Sequence, residues 1–119
     1  MRPAGWPAAV PDPEELDFVT RAVAWLLDIG SPDWRTMPAL REQPVLLAFR
    51  AHSDVRARLA GARDAYSAAR AEIGDAVPPE AVAALLEALE AEGAALVARE
   101  REVALVEQAL RGRRWRPRL

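Results

Sequence analysis

The sequence predicts an all-α fold: a small helical bundle dominated by a long antiparallel two-helix hairpin of coiled-coil type, with one shorter N-terminal helix packed across it. The composition is 51% hydrophobic but only 6% aromatic, and Ala supplies much of the apolar share, which favours close-packed helices. Apolar residues also recur at helical spacing over two long segments. At 119 residues the chain fits one domain, which we expect to span 12–111.

The N-terminal segment, residues 1–11, is rich in Pro and Ala and predicts a flexible arm. Trp6 is the side chain of this arm that we expect to dock on the domain. The prolines interrupt any apolar run long enough for a signal peptide, and no stretch of the chain reaches the ~18 apolar residues of a membrane span. A cytoplasmic protein without a membrane segment is therefore the expectation.

The first helix is expected over about 13–29. Asp12 fits the N-cap, Pro13 the first helical position, and Glu15 the acidic position of a capping box. Gly30 fits the residue that follows the helix. Two adjoining apolar stripes predict that most of this helix is buried. The stripes are Leu16, Val19, Val23, Leu26 and Phe18, Ala22, Trp25, Ile29.

A short helical turn at 32–42 precedes the predicted hairpin, whose long helices are expected at 44–73 and 79–111. Prolines at 78–79 end one helix and begin the next. In the first long helix the apolar spacing alternates between four and three, as in the seam of a two-helix packing. This seam consists of Val55, Leu59, Ala62, Tyr66, Ala69 and Ile73. In the second long helix, apolar residues recur every seven positions, at Val82, Leu89, Leu96, Val103 and Leu110.

Charge is distributed unevenly along the chain, although the net charge is −2. All 16 basic residues are Arg. Residues 1–43 carry four Arg and seven acidic residues, a net charge of −3, and residues 44–74 carry five Arg and three acidic residues, a net charge of +2. Residues 75–110 carry two Arg and eight acidic residues, a net charge of −6, and residues 111–119 carry five Arg and no acidic residue, a net charge of +5. The two long helices are thus charge-complementary, which favours their lying side by side.

The sequence offers little catalytic chemistry. The chain has no Cys and no Lys, which excludes thiol, disulfide and Schiff-base chemistry. His52, Ser53 and Asp54 supply the residue types of a hydrolase triad, but neighbours one and two apart on a helix point in different directions. We therefore expect an exposed or capping role for His52, no catalytic residue, no cofactor and no metal site. The helical carboxylates are interpreted as a solvated face: Glu87, Glu90, Glu100 and Glu107.

The C-terminal tail, residues 112–119, is the most unusual segment. With the last helical residue it supplies the main candidates for partner binding: Arg111, Arg113, Arg114, Trp115, Arg116 and Arg118. Three interpretations are open. The tail could pair with an acidic helix of its own chain. It could instead bind a protein partner, with Trp115 as an anchor and with guanidinium groups that donate paired hydrogen bonds to carboxylate or phosphate groups, or it could contact nucleic acid. The acidic neighbouring helix argues against the broad basic face that nucleic-acid binding needs.

Three tryptophans lie in or beside irregular segments. Trp6 and Trp34 are candidates for partner binding, like Trp115 of the tail, although fastening a loop to the bundle is the favoured role of each. Asp33 and Arg35 beside Trp34 could alternatively line a small pocket. Trp25 falls on the apolar face of the first helix, so it is expected in the core.

These observations predict a non-enzymatic protein–protein interaction module: an adaptor, assembly or regulatory subunit that binds another protein or a second copy of itself. The reasons are the missing catalytic groups and the two long helices, whose apolar length exceeds what one short helix covers. The alternative is a nucleic-acid-associated accessory protein that uses the Arg/Trp tail. The second long helix is thinly apolar around 90–102, so a partner surface is expected near the helix ends and the tail.

Overall fold

The computed structural model describes residues 2–112, and helices are the regular elements of that range. They are α1 (Phe18–Ile29), a short 3-10 helix (Pro32–Thr36), α2 (Pro38–Glu42), α3 (Pro44–Ile73) and α4 (Pro79–Leu110). The long helices α3 and α4 pack against each other as an antiparallel hairpin, and α1 packs across it. The predicted fold class is therefore confirmed.

Proline chemistry sets the boundaries of the hairpin. Pro44 and Pro79 each occupy the first turn of a long helix, where a backbone N–H has no intrahelical acceptor and its absence costs nothing. Pro78 is extended, with φ −62° and ψ 149°, and separates the two helices. The predicted segment 44–73 matches α3, and α4 ends one residue before the predicted position 111.

Helix α1 begins at Phe18, five residues after the predicted start, so the predicted range 13–29 is wrong at its N-terminal end. Asp12 does not cap the helix; its carboxylate accepts a hydrogen bond from Nε of Arg2 at 3.0 Å. The backbone at 13–17 forms turns closed by bonds between residues three apart, such as Phe18 N–H to Glu15 O. These turns direct Phe18 into the core and leave Leu16 fully exposed.

The predicted flexible arm is packed against the bundle. Val10 is completely buried in the main core. Trp6 is half-buried, donates its indole N–H to the carbonyl of Val10 at 2.8 Å, and lies with its ring centroid 6.1 Å from that of Phe18. The sequence suggests looseness because proline blocks regular structure, but proline also lowers the entropy lost when an irregular segment docks.

The arm also crosses α4. Arg101 donates from Nε to the carbonyl of Ala4 at 3.3 Å. Gly5 follows with φ 88°, and a Cβ at that position would lie 2.6 Å from Nε of Arg101. The positive φ therefore favours glycine at position 5, and a larger residue there would also have to displace the flexible side chain of Arg101.

Between α1 and α3 the predicted turn at 32–42 is two elements, the 3-10 helix and α2. Ser31 caps the 3-10 helix by accepting a hydrogen bond from the N–H of Asp33 at 3.2 Å. The turn brings Trp34 into the core, where 2% of its surface is exposed. Its ring faces the guanidinium of Arg50, 5.2 Å from the ring centroid, and is fixed between α1 and α3.

The core is divided along the hairpin. Fifteen buried residues form a main cluster around α1, Trp34, the beginning of α3 and the end of α4. Trp25 belongs to it, as predicted. Towards the hairpin turn, a separate cluster contains only Ala69, Val82 and Leu86. The part of the hairpin beyond the reach of α1 is therefore held by few buried side chains.

Candidate interaction surface

Helix α1 covers less than half of the hairpin. Its 12 residues extend about 18 Å, whereas the 30 residues of α3 extend about 45 Å. The main cluster ends near Ala62 and Leu96, and the second cluster begins at Ala69 and Leu86. Between these levels α3 and α4 continue side by side without a buried cluster joining them.

A surface groove of about 460 Å³ lies at this interruption of the core. We call it the hairpin groove. Its lining comes from both helices: Leu59, Ala62, Arg63, Tyr66 and Ser67 of α3, and Leu89, Glu90, Gly93, Ala94 and Val97 of α4.

The groove forms because the two helices offer side chains of unequal size at the same level. Gly93 carries no side chain, and a Cβ built there would meet no atom within 4 Å. Tyr66, predicted in the buried seam, is 46% exposed, and Val97 on the facing helix is 50% exposed. Large apolar side chains thus border a hollow instead of interlocking across it.

The predicted seam of α3 is otherwise buried. Val55, Leu59, Ala62 and Ala69 are each at most 6% exposed, so these seam positions are confirmed. Ile73, like Tyr66, does not follow the prediction, and it is 38% exposed at the end of α3. The α3 seam is therefore well buried towards the main cluster, open at the groove and only sparsely buried towards the hairpin turn.

The two walls of the groove carry opposite charges. Arg63 lies on the α3 wall and Glu90 on the α4 wall, and neither makes an ion pair within residues 2–112. Arg56, Arg63 and Arg70 recur every seven residues and form one stripe along α3. All three are exposed and lack a side-chain partner in the described range.

A polar cluster around His52 joins α3 to α4 at the end of the hairpin away from its turn. His52 is half-buried, and its Nδ1 donates to Oε1 of Glu107 at 3.1 Å. Nε2 of the same ring lies 3.7 Å from Oε1 of Glu100, beyond hydrogen-bond distance. Arg111 donates to the second oxygen of Glu107 at 2.7 Å. The expected exposed or capping role of His52, and the expected solvated role of Glu107, are therefore wrong.

The two residues after His52 take no part in this cluster. The hydroxyl of Ser53 donates to the carbonyl of Arg50 at 2.8 Å, and Asp54 lies 4.0 Å from the guanidinium of the same arginine. The side chains of His52, Ser53 and Asp54 thus contact different groups, as their helical spacing predicts. The His52 cluster holds α3 to α4 and contains no nucleophile.

We expect His52→Ala to lower the free energy of unfolding by about 1–2 kcal/mol, because it removes a part-buried hydrogen bond to a carboxylate that is itself only 12% exposed. Urea denaturation followed by circular dichroism measures the difference. Ser53→Ala is the matched control, since its hydroxyl bonds only within α3 and is exposed. An equal loss in both variants would contradict a hairpin-fastening role for His52.

The structure separates the tryptophans and arginines predicted for partner binding. Trp34 is buried, so its ring has no free surface for a partner and it fastens the loop instead. Trp6 is half-buried against Phe18, and Arg111 is paired with Glu107. The remaining candidates lie outside the described residues: Arg113, Arg114, Trp115, Arg116 and Arg118.

Sequence reasoning missed the groove residues Tyr66, Leu89 and Val97. The signal that could have found them is Gly93, a residue unfavourable in a helix interior, placed opposite a predicted seam. The thin apolar pattern around 90–102 marks a hollow between the helices and not merely a weaker contact.

Residues 2–112 contain neither a metal-binding cluster nor a membrane-spanning helix. No three His, Cys, Asp or Glu side chains in this range are arranged to hold a metal ion. No helix in it combines the length and hydropathy needed to cross a bilayer.

We compared the chain with protein-family models, curated proteins and solved structures, and none of the three comparisons found a match.

Proposed function

We propose that this protein is a non-enzymatic protein–protein interaction module that binds its partner in the hairpin groove. The observation that carries the proposal is the exposure of Tyr66 and Val97 beside an unfilled hollow, whose lining comes from α3 and α4 alone. Clustered exposed apolar side chains rimmed by charge are typical of protein interaction sites.

The shape of the groove suits an apolar helical surface. It runs between two roughly antiparallel helices, so a helix laid along it would present residues three and four apart to the hollow. Arg63 and Glu90 on its walls would set the orientation of a charged partner. We include an adaptor, assembly or regulatory role and a cytoplasmic location in the same proposal.

This location differs from the one the sequence favours, which is the helix ends and the tail. Phe49, in the second turn of α3, is 58% exposed and represents that competing surface. The nucleic-acid alternative depends on tail residues outside the described range, and it stays a prediction.

Photo-crosslinking in the native cells tests the proposal. The phenyl ketone amino acid p-benzoylphenylalanine replaces Tyr66, an exposed aromatic residue, with little change of shape. We expect light-dependent protein adducts from position 66. Arg41 is the control position, because it is exposed on α2 and does not line the groove.

Position 49 provides the comparison between the two surfaces. Adducts from position 49 with none from position 66 would place the partner at the helix end and overturn the proposal. Adducts from position 66 no stronger than those from position 41 would overturn it as well.

A further inference from the structure

We infer that the partner in the hairpin groove is a second copy of this chain, related by a twofold axis that runs along the groove. The two hairpins would then form a four-helix bundle through the surface of α3 and α4 that contains the groove, to which α1 contributes no residue. This inference rests on the proposed function of the groove and adds the identity and orientation of its occupant.

The charges on the groove walls carry the argument. Arg63 and Glu90 line the same groove on opposite helices. The ring of His52 lies against Glu107 and Glu100, and counting eleven residues along each helix from there sets Arg63 opposite positions 89–96, which include Glu90. No ion pair joins them within one copy, and neither has another partner in the described range. Each wall thus presents an unpaired charge of one sign beside apolar surface.

A face-to-face pair of identical hairpins has two possible twofold axes in the interface plane. An axis along the groove places α3 of one copy over α4 of the other without changing the level of any residue. Arg63 of each copy then faces Glu90 of the other copy, which gives two attractive contacts per dimer. An axis across the groove would instead place α3 over α3 and α4 over α4.

The second arrangement brings like charges together. It sets the Arg56, Arg63 and Arg70 stripe of one copy against the same stripe of the other. It also opposes the acidic α4 helices, which belong to a segment with eight acids and two Arg over 75–110. Like-charge juxtaposition is strongly unfavourable at an interface, so the charges select the axis along the groove.

The apolar residues fit this arrangement. Tyr66 of each copy lies over α4 of its mate near Gly93, where that helix has no side chain and a close approach is free. Val97 and Leu89 supply the apolar surface on either side. The apolar surface around the groove is small compared with standard protein–protein interfaces, so we expect the dimer to have a dissociation constant on the order of micromolar.

Charge exchange between two variants tests the axis. Arg63→Glu gives a copy with Glu on both walls, and Glu90→Arg gives a copy with Arg on both walls. We expect each variant alone to self-associate at least about tenfold more weakly than the wild-type chain, because both contacts in its homodimer become repulsive. An equimolar mixture of the two should form a heterodimer, because both contacts become attractive again.

Sedimentation equilibrium of the full chain over roughly micromolar to millimolar concentrations is the measurement, with circular dichroism to verify that each variant is folded. Arg41→Glu is the matched control. It makes the same change of charge on an exposed helical residue outside the groove, so its self-association should equal that of the wild-type chain.

Several outcomes would overturn the inference. A wild-type chain that stays monomeric near millimolar concentration excludes the second copy. A dimer unaffected by either reversal excludes the axis along the groove, because an axis across the groove or an interface elsewhere would not feel either change. A mixture that does not associate excludes the axis along the groove as well. A monomeric chain whose binding to a labelled oligonucleotide is lost in Arg63→Glu assigns the arginine stripe to nucleic acid.

The inference and the proposed function fail separately. If the chain is monomeric but position 66 crosslinks to a different protein, the groove remains an interaction site and only its occupant is wrong. If position 66 crosslinks to nothing above the control and the chain is monomeric, both are wrong.

Discussion

Trp34→Ala is expected to lower the free energy of unfolding by about 3–5 kcal/mol, the largest loss for a single truncation in this chain. The indole ring is 2% exposed and joins α1, the 3-10 helix and α3 through one cluster. Its removal leaves a cavity where three elements meet, and the stacked guanidinium of Arg50 loses its aromatic face. Denaturant unfolding monitored by circular dichroism measures the loss.

Gly30 provides the control for this explanation. A methyl group at Gly30 would overlap the Trp34 ring, so Gly30→Ala should also destabilise the protein, by about 1–3 kcal/mol. In the Trp34→Ala background the same change should cost little, because the ring it strikes is gone. Gly61→Ala, in open space on α3, should instead stabilise the protein by about 1 kcal/mol. An unchanged cost of Gly30→Ala in the Trp34→Ala background would show that the ring is not the cause.

The hairpin could be predicted because its signals are local. Pro44 and Pro79 each fit the first turn of a helix, and a seven-residue apolar repeat shows one face of a helix without reference to the rest of the fold. Val82, Leu96 and Val103 of that repeat are each at most 5% exposed.

The start of α1 could not be predicted in the same way. Asp12, Pro13 and Glu15 carry every local signal of a helix N-terminus, yet the chain forms turns there. Asp12 binds Arg2 of the docked arm instead of a helical N–H. The choice therefore depends on a contact between segments, which a capping pattern does not contain.

The groove residues could not be predicted either, because they too depend on contacts between distant segments. A seam predicts which face of α3 meets α4, but whether Tyr66 is buried depends on the residue opposite it, and that residue is Gly93. The contact of His52 with Glu107 joins positions 55 residues apart in sequence. Neither pairing follows from periodicity, because both require the register of the two helices.

Division of the core also links stability to the proposed association. The second cluster has three buried residues, whereas the main cluster has fifteen, so the end of the hairpin near its turn is expected to open more readily than the end fastened by α1. A second copy seated in the hairpin groove would bury surface at the junction of the two clusters. Association would then rigidify the weaker end of the bundle.

Val10→Asp is expected to lower the free energy of unfolding by about 3 kcal/mol or more. Val10 is completely buried, so the variant must either bury an unpaired carboxylate or release the arm from the core. Releasing the arm would also separate the Trp6 ring from Phe18 and uncover Phe18. Both routes are costly, and the same denaturant experiment measures the result.

Ala8→Asp is the matched control, since Ala8 belongs to the same arm but is exposed. It should change stability by less than about 0.5 kcal/mol. The contrast separates a docked arm from a loose one, because in a loose arm both positions face water and neither substitution matters. Equal and small effects of the two variants would mean that the arm contributes nothing to the core. The bundle would then have to be stable without Val10, with Phe18 as its first buried residue.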